Sequence, residues 1–153
     1  MFTIRHDDLT GAPTRALLAL HLAGMQADSP IDGVFALDLS GLQSPDVIVW
    51  TLWDGSVIAG IAALRTITPG HGEIKSMRTQ PHHLRSGVGA AIVGHILTAA
   101  RAAGMTRLSL ETGSGDAFEP AHALYRRFGF TPCDAFGDYR EGDPFSRFMS
   151  RAL

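Results

Sequence analysis

Apolar positions along the chain follow two rhythms, one of two residues and one of three to four. Phe2 to His6 alternates and predicts a short opening strand. Thr10-Gly11-Ala12-Pro13 supplies a helix start, and Leu17, Leu18, Leu20, His21, Leu22 and Met25 recur at helical spacing until Ser29-Pro30 breaks the run. Phe35, Leu37, Leu39 and Leu42 predict a second, shorter helix closed by Gly41 or by Ser44-Pro45, and the same spacing also suits a strand. Val47 to Trp53 and Val57 to Leu64 are β-branched and aromatic, and Asp54-Gly55 between them predicts an antiparallel hairpin packed by Trp50 and Trp53. Pro69-Gly70-His71-Gly72 turns the chain into a third strand, Glu73 to Thr79, which Pro81 ends.

Helical spacing returns at Ile92, Val93, Ile96, Leu97, Ala100 and Ala103, and Gly104 closes that helix. Arg107 to Thr112 alternates as a strand, and a helix from about Glu119 to Phe128 ends at Gly129. Phe130 to Cys133 resumes extended chain, and Arg147 to Leu153 forms a last strand. A meander of strands followed by strands alternating with helices predicts an α/β fold, a mixed sheet with helices on its faces.

Composition narrows the class. With 153 residues, 45% hydrophobic and 18% charged, the chain makes one domain, 1–153, with a core of its own and no disordered character. A formal charge of −2 provides no global basic field, so neither nucleic acid nor a membrane is expected as partner. A lone Cys133 excludes an internal disulfide and a multi-thiolate zinc site, and is expected as a small buried hydrophobe. Met1 to Asp8 has two acids and no apolar stretch, unlike a secretory signal. Val88 to Ala100 contains His95 and falls short of the ~20 residues a bilayer needs. The expectation is a soluble, cytoplasmic protein. Twelve arginines stand against one lysine, which makes Lys75 conspicuous.

Chemistry concentrates between Glu73 and Ala103. In Leu84-Arg85-Ser86-Gly87-Val88-Gly89-Ala90, two glycines precede a helix, an arrangement whose backbone N–H groups and helix dipole bind phosphate; Arg85 adds a positive side chain. The loop lacks the Gly-Lys-Ser/Thr of a Walker sequence and the third glycine of a dinucleotide fingerprint. It resembles the acetyl-CoA pyrophosphate loop of the GNAT superfamily of N-acetyltransferases, Gln/Arg-x-x-Gly-x-Gly/Ala. Ala121-His122-Ala123-Leu124-Tyr125-Arg126-Arg127-Phe128-Gly129-Phe130 is similar to that superfamily's second signature, at the matching distance. Gly-Glu-Ile-Lys-Ser-Met, Leu-Ser-Leu-Glu-Thr-Gly-Ser and Phe-Gly-Asp-Tyr look most like the uncharacterised bacterial acetyltransferases of the YsnE type. Two departures stand out. Leu84 occupies the Gln/Arg place, and Thr112-Gly113-Ser114 replaces the asparagine that many relatives carry after the fifth strand, with Ser114 or a water in its role.

The resemblance implies a mostly antiparallel sheet with helices on both faces and a splayed, bulged strand. Backbone groups of Met77, Arg78 and Thr79 would face the pantetheine and acetyl carbonyl, and Leu84 to Ala90 the diphosphate. Tyr125 is the implied acid for the departing thiolate, since a phenol with a pKa near 10 is well matched to it. For the base, Glu73 comes first, Glu111 second and a water chain third. Two-residue alternation puts Glu73, Lys75 and Met77 on one face, unless a bulge intervenes. Lys75 either snorkels to solvent or holds a substrate carboxylate or Glu73. His21 and Met25 would line the acceptor pocket, and Asp138, Tyr139 and Asp143 its rim. His82 and His83 read as a solvated loop, with no metal implied. The expected activity is acetyl transfer from acetyl-CoA to a primary amine, a small metabolite before a protein N-terminus or lysine. Transfer would be by direct attack in a ternary complex, since Cys133 lies outside both signatures. The rival is a non-catalytic acyl-CoA-binding module, and a homodimer is compatible with either.

Overall fold

One seven-stranded sheet organises the chain, in the order β1-β2-β3-β4-β5-β7-β6. The computed structural model describes residues 2–28, 39–139, 141–142 and 144–153, with all side chains among them except those of 22–28, 39 and 40. The strands are β1 (Phe2–His6), β2 (Val47–Asp54), β3 (Val57–Thr68), β4 (His71–Thr79), β5 (Arg107–Gly113), β6 (Thr131–Pro132) and β7 (Ser146–Ala152). The helices are α1 (Ala12–Asp28), α2 (Leu39–Leu42), α3 (Val88–Ala102) and α4 (Glu119–Arg127). Among the described residues only β4 and β5 pair in parallel, and the other pairs are antiparallel. The parallel pair is where α3 crosses over between its strands, since parallel neighbours need a long connection.

The two faces are covered by different helices. Leu17 and Leu18 of α1 pack with Val49, Ile58, Ile61 and Ala63. On the other face, Ile92, Val93 and Ile96 of α3 and Tyr125 of α4 pack with Leu52, Leu64, Ile74 and Leu110. β3 is buried for seven consecutive residues, Ile58 to Leu64, as a strand with helices above and below must be. Asp7 ties α1 to the sheet: its carboxylate accepts from Leu9 N–H at 2.8 Å, Thr14 Oγ1 at 2.8 Å and Thr51 Oγ1 at 3.0 Å.

The hairpin, the α3 helix and the last strand form where the residue pattern puts them. Of the expected second helix, Leu39–Leu42 is a single helical turn and Phe35 and Leu37 lie outside the described residues. Trp50 is core, and Trp53 is partly buried against the α1-side cluster, with the Arg5 guanidinium 4.7 Å from its ring centre. Cys133 is half-buried rather than buried, because the chain leaves the sheet directly after the two-residue β6.

Two irregularities of β4 create the site. Pairing with β5 ends at Ile74 and Leu110, although β4 runs on to Thr79 and β5 to Gly113, so the strands splay apart. Within β4, four residues from Lys75 to Arg78 face three of β3, from Ala63 to Ile61, with Ser76 at φ 55°: a β-bulge. The extra residue reverses the alternation. Glu73 and Lys75 lie across from Arg65 and Ala63 on the α1 face, while Met77 packs into the α3–α4 core. The expected common face of Glu73, Lys75 and Met77 is therefore corrected: the bulge sends Met77 to the other side and returns Arg78, opposite Ile61, to the α1 face.

Candidate active site

A cleft of about 650 Å³ opens where β4 and β5 diverge. Its floor is Lys75 to Thr79, one wall is the loop from Leu84 to Ala90, and Glu111, Thr112 and Tyr125 form the opposite side. Of the residues expected to bind or react, His21, Glu73, Lys75, Met77, Arg78, Thr79, Leu84, Arg85, Gly87, Val88, Gly89, Ala90, Glu111 and Tyr125 all line it. Ser86 and Ser114 do not. The Ser86 hydroxyl and N–H both turn back onto the His83 carbonyl, and Ser114 gives its hydroxyl to the Pro144 carbonyl at 2.8 Å. The side chain of Met25 lies outside the described residues, as does Asp143.

At one end, α3 begins without a side-chain cap. The N–H groups of Gly87, Val88, Gly89 and Ala90 belong to its first turn, which leaves such donors without helical partners. The first backbone bond back onto this turn is from Ala91 N–H to the Gly87 carbonyl, at 3.0 Å. Each glycine answers a different need. Gly87 sits at φ +89°, where L-residues are strained, and a Cβ there would meet open space. At Gly89 a Cβ would lie 2.8 Å from Leu124 Cδ2, so α3 and α4 approach this closely only without a side chain. Leu84 and Arg85 have exposed side chains at the mouth. Leu84 offers no donor where the signature has Gln or Arg. The pair His82-His83 is not simply solvated: His83 lines the cleft, with Nε2 at 3.3 Å from Asp54 Oδ2.

At mid-cleft, the Tyr125 hydroxyl contacts Met77 Sδ at 3.5 Å and its ring packs against Phe130. Burial, with a smaller contribution from the Glu111 carboxylate, pushes the phenol well above its ordinary pKa, so it keeps its proton throughout the physiological range. His122 anchors the same helix; its Nε2 donates to the Gly113 carbonyl at 2.9 Å, fixing α4 to the end of β5.

Under α1 lies a buried polar group that sequence spacing alone did not assemble. Glu73 is 1% exposed. Its Oε2 accepts from the Tyr139 hydroxyl at 2.5 Å and from Lys75 Nζ at 3.2 Å, and Lys75 also donates to the Tyr139 oxygen at 2.7 Å. Arg65 Nη1 stands 3.6 Å from Oε1, an ion-pair distance without a hydrogen bond. Lys75 therefore holds Glu73 and does not snorkel to solvent. Tyr139 is more than a rim residue: Phe136 and Phe148 clasp its ring, and burial followed by the Glu73 charge keeps it protonated. The Phe-Gly-Asp-Tyr stretch was the available signal, but a partner 66 residues from Glu73 has no periodicity to announce it. His21, on α1, is buried; its imidazole is pushed down to about 4 by burial and then by the Arg78 charge, so it is neutral at pH 7.

Residues 15–130 match the acetyltransferase (GNAT) family. Over all of this chain and 96% of its own length, the uncharacterized N-acetyltransferase YedL of Escherichia coli is 48% identical. Over 98% of this chain and 99% of its own, the uncharacterized N-acetyltransferase YsnE of Bacillus subtilis is 47% identical. Among solved structures, a candidate acyl-CoA N-acyltransferase from Klebsiella pneumoniae superposes with a TM-score of 0.83 at 31% identity, covering 100% of this chain and 98% of that one.

Proposed function

The chain belongs to the GNAT acetyltransferase family and is an acyltransferase, and from that premise we propose that it moves an acetyl group from acetyl-CoA to a primary amine of a small molecule. The observation that carries this reading is the single cleft shared by an unpaired helix start, unpaired strand edges and a buried phenol. The diphosphate would take the N–H groups of Gly87 to Ala90, with the helix dipole adding to their attraction. The pantetheine would run along β4 beyond Ile74, where the edge facing β5 has no strand partner. There the backbone at Met77, Arg78 and Thr79 would bind the amide groups and the acetyl oxygen, whose negative charge grows as the amine attacks.

In that complex Glu73 takes the ammonium proton, directly or through water. The amine nitrogen bonds to the acetyl carbon, the carbon–sulfur bond breaks, and Tyr125 returns a proton to the thiolate. Desolvation that raises the phenol pKa also raises that of a thiolate formed beside it, so the two stay matched. Glu111 lines the same cleft and is the second candidate base. Lys75 and Tyr139 are positioning residues, holding Glu73 Oε2 and leaving Oε1 without a hydrogen bond, 3.6 Å from the Arg65 guanidinium.

Calorimetric titration with acetyl-CoA, followed by thiol-release assays across a panel of small amines, tests the proposal. Saturable binding and amine-dependent release of CoA are expected. Binding without release for any amine would make the chain a coenzyme-binding module, and no binding would remove the cleft assignment.

A further inference from the structure

The chemistry of the α1 side of the cleft restricts the acceptor. Two buried side-chain atoms on its lining, His21 Nδ1 and Glu73 Oε1, make no hydrogen bond among the described residues, Oε1 having only the Arg65 guanidinium at 3.6 Å. Buried polar atoms without hydrogen bonds cost stability, so the two together mark a place where a ligand supplies what the protein does not. Cations on this side are distributed unequally. Arg65 is shared among Asp46, Glu73 and Asp138, and Lys75 is held by Glu73 and Tyr139. Arg78 is half-buried on the lining and forms no ion pair among the described residues. The bulge at Ser76 turns it to this face, opposite Ile61 and near enough to His21 for its charge to disfavour a second cation there.

We infer that the acceptor is an amine that also bears a carboxylate, with Arg78 and His21 holding the carboxylate and Glu73 Oε1 facing the amine. The inference rests on the acetyl-transfer reading and narrows its substrate class. A guanidinium presents parallel N–H donors that match the two oxygens of a carboxylate, and a neutral imidazole adds one donor without adding charge. One unpaired cation and one carboxylate oxygen are complementary to a zwitterion. A dianionic phosphate would leave a negative charge uncompensated.

The test measures kcat/KM with acetyl-CoA for L-amino acids and, side by side, for their carboxamides and decarboxylated amines, with O-phosphoethanolamine as a further arm. Native protein should favour at least one amino acid over its two carboxylate-free counterparts by tenfold or more. Arg78→Gln should bring that ratio close to one, chiefly through KM, and Arg78→Lys should restore part of it. Equal use of the matched compounds, preference for the phosphate-bearing amine, or an unchanged ratio in Arg78→Gln overturns the carboxylate subsite. Acetylation of carboxylate-free amines alone would do the same while leaving the transferase reading intact. Failure to bind acetyl-CoA in calorimetry would instead overturn the transferase reading.

Discussion

At Tyr125, burial and hydrogen bonding have separate consequences. Burial keeps the hydroxyl protonated, and its protein contact, Met77 Sδ at 3.5 Å, is a weak acceptor that leaves the proton available. Tyr125→Phe removes one oxygen and keeps the ring that packs on Phe130. The expected outcome is a kcat reduced by about 100-fold or more, the usual scale for a general acid, with acetyl-CoA affinity nearly unchanged. Steady-state kinetics and calorimetry on the same preparation check this, and equal losses in both would make Tyr125 a packing residue. The place of Tyr125 in the cleft was legible because it sits inside a contiguous signature. Tyr139 was not, since its partners Glu73 and Lys75 meet it only once the chain after β6 has folded back across the sheet.

The loop opening α3 separates two ways of losing a phosphate site. Gly87→Asp introduces a side chain into open space at a left-handed φ, costing about 1–2 kcal/mol of strain, and puts a carboxylate where the diphosphate would lie. Gly89→Val drives a branched side chain into Leu124, an overpacking worth about 1–3 kcal/mol. Both should lose acetyl-CoA binding in calorimetry, but Gly89→Val should lower the melting temperature further, because it separates α3 from α4. Wild-type affinity in Gly87→Asp would refute the loop assignment. The two-glycine helix entry is a local signal and was visible in the residue order. The β-bulge was implied by the family resemblance, but its position was not in the residue order: Ser76, at positive φ, is an ordinary strand residue by composition.

Across the whole molecule, α1 closes the cleft from one side and brings a buried imidazole with it. His21 titrates near 6.5 when unfolded and about 4 when folded, so between these values the unfolded chain binds the extra proton. Stability from this group is complete above pH 6.5 and falls as the pH drops toward 4, by about 2 kcal/mol between pH 7 and 5. Thermal denaturation of native protein and His21→Gln over that range should show a shallower acid decline in the variant, and parallel curves would mean that His21 is not buried neutral.

Periodicity and turn residues by themselves determined the hairpin and the α3 helix, and contiguous residue order carried the resemblance to the two family signatures, because each depends on neighbours within a few turns of chain. No described helix is long and apolar enough to cross a membrane. Tertiary structure decided which face each residue of β4 presents and what surrounds Glu73. Side-chain parity along a strand holds only until one extra residue enters the ladder, and that residue, Ser76, moved Met77 to the α3–α4 core and Arg78 to the α1 side. Two-residue spacing brought Lys75 to Glu73, but Tyr139 joins them only after a long loop closes, and a carboxylate withdrawn from water needs that further partner.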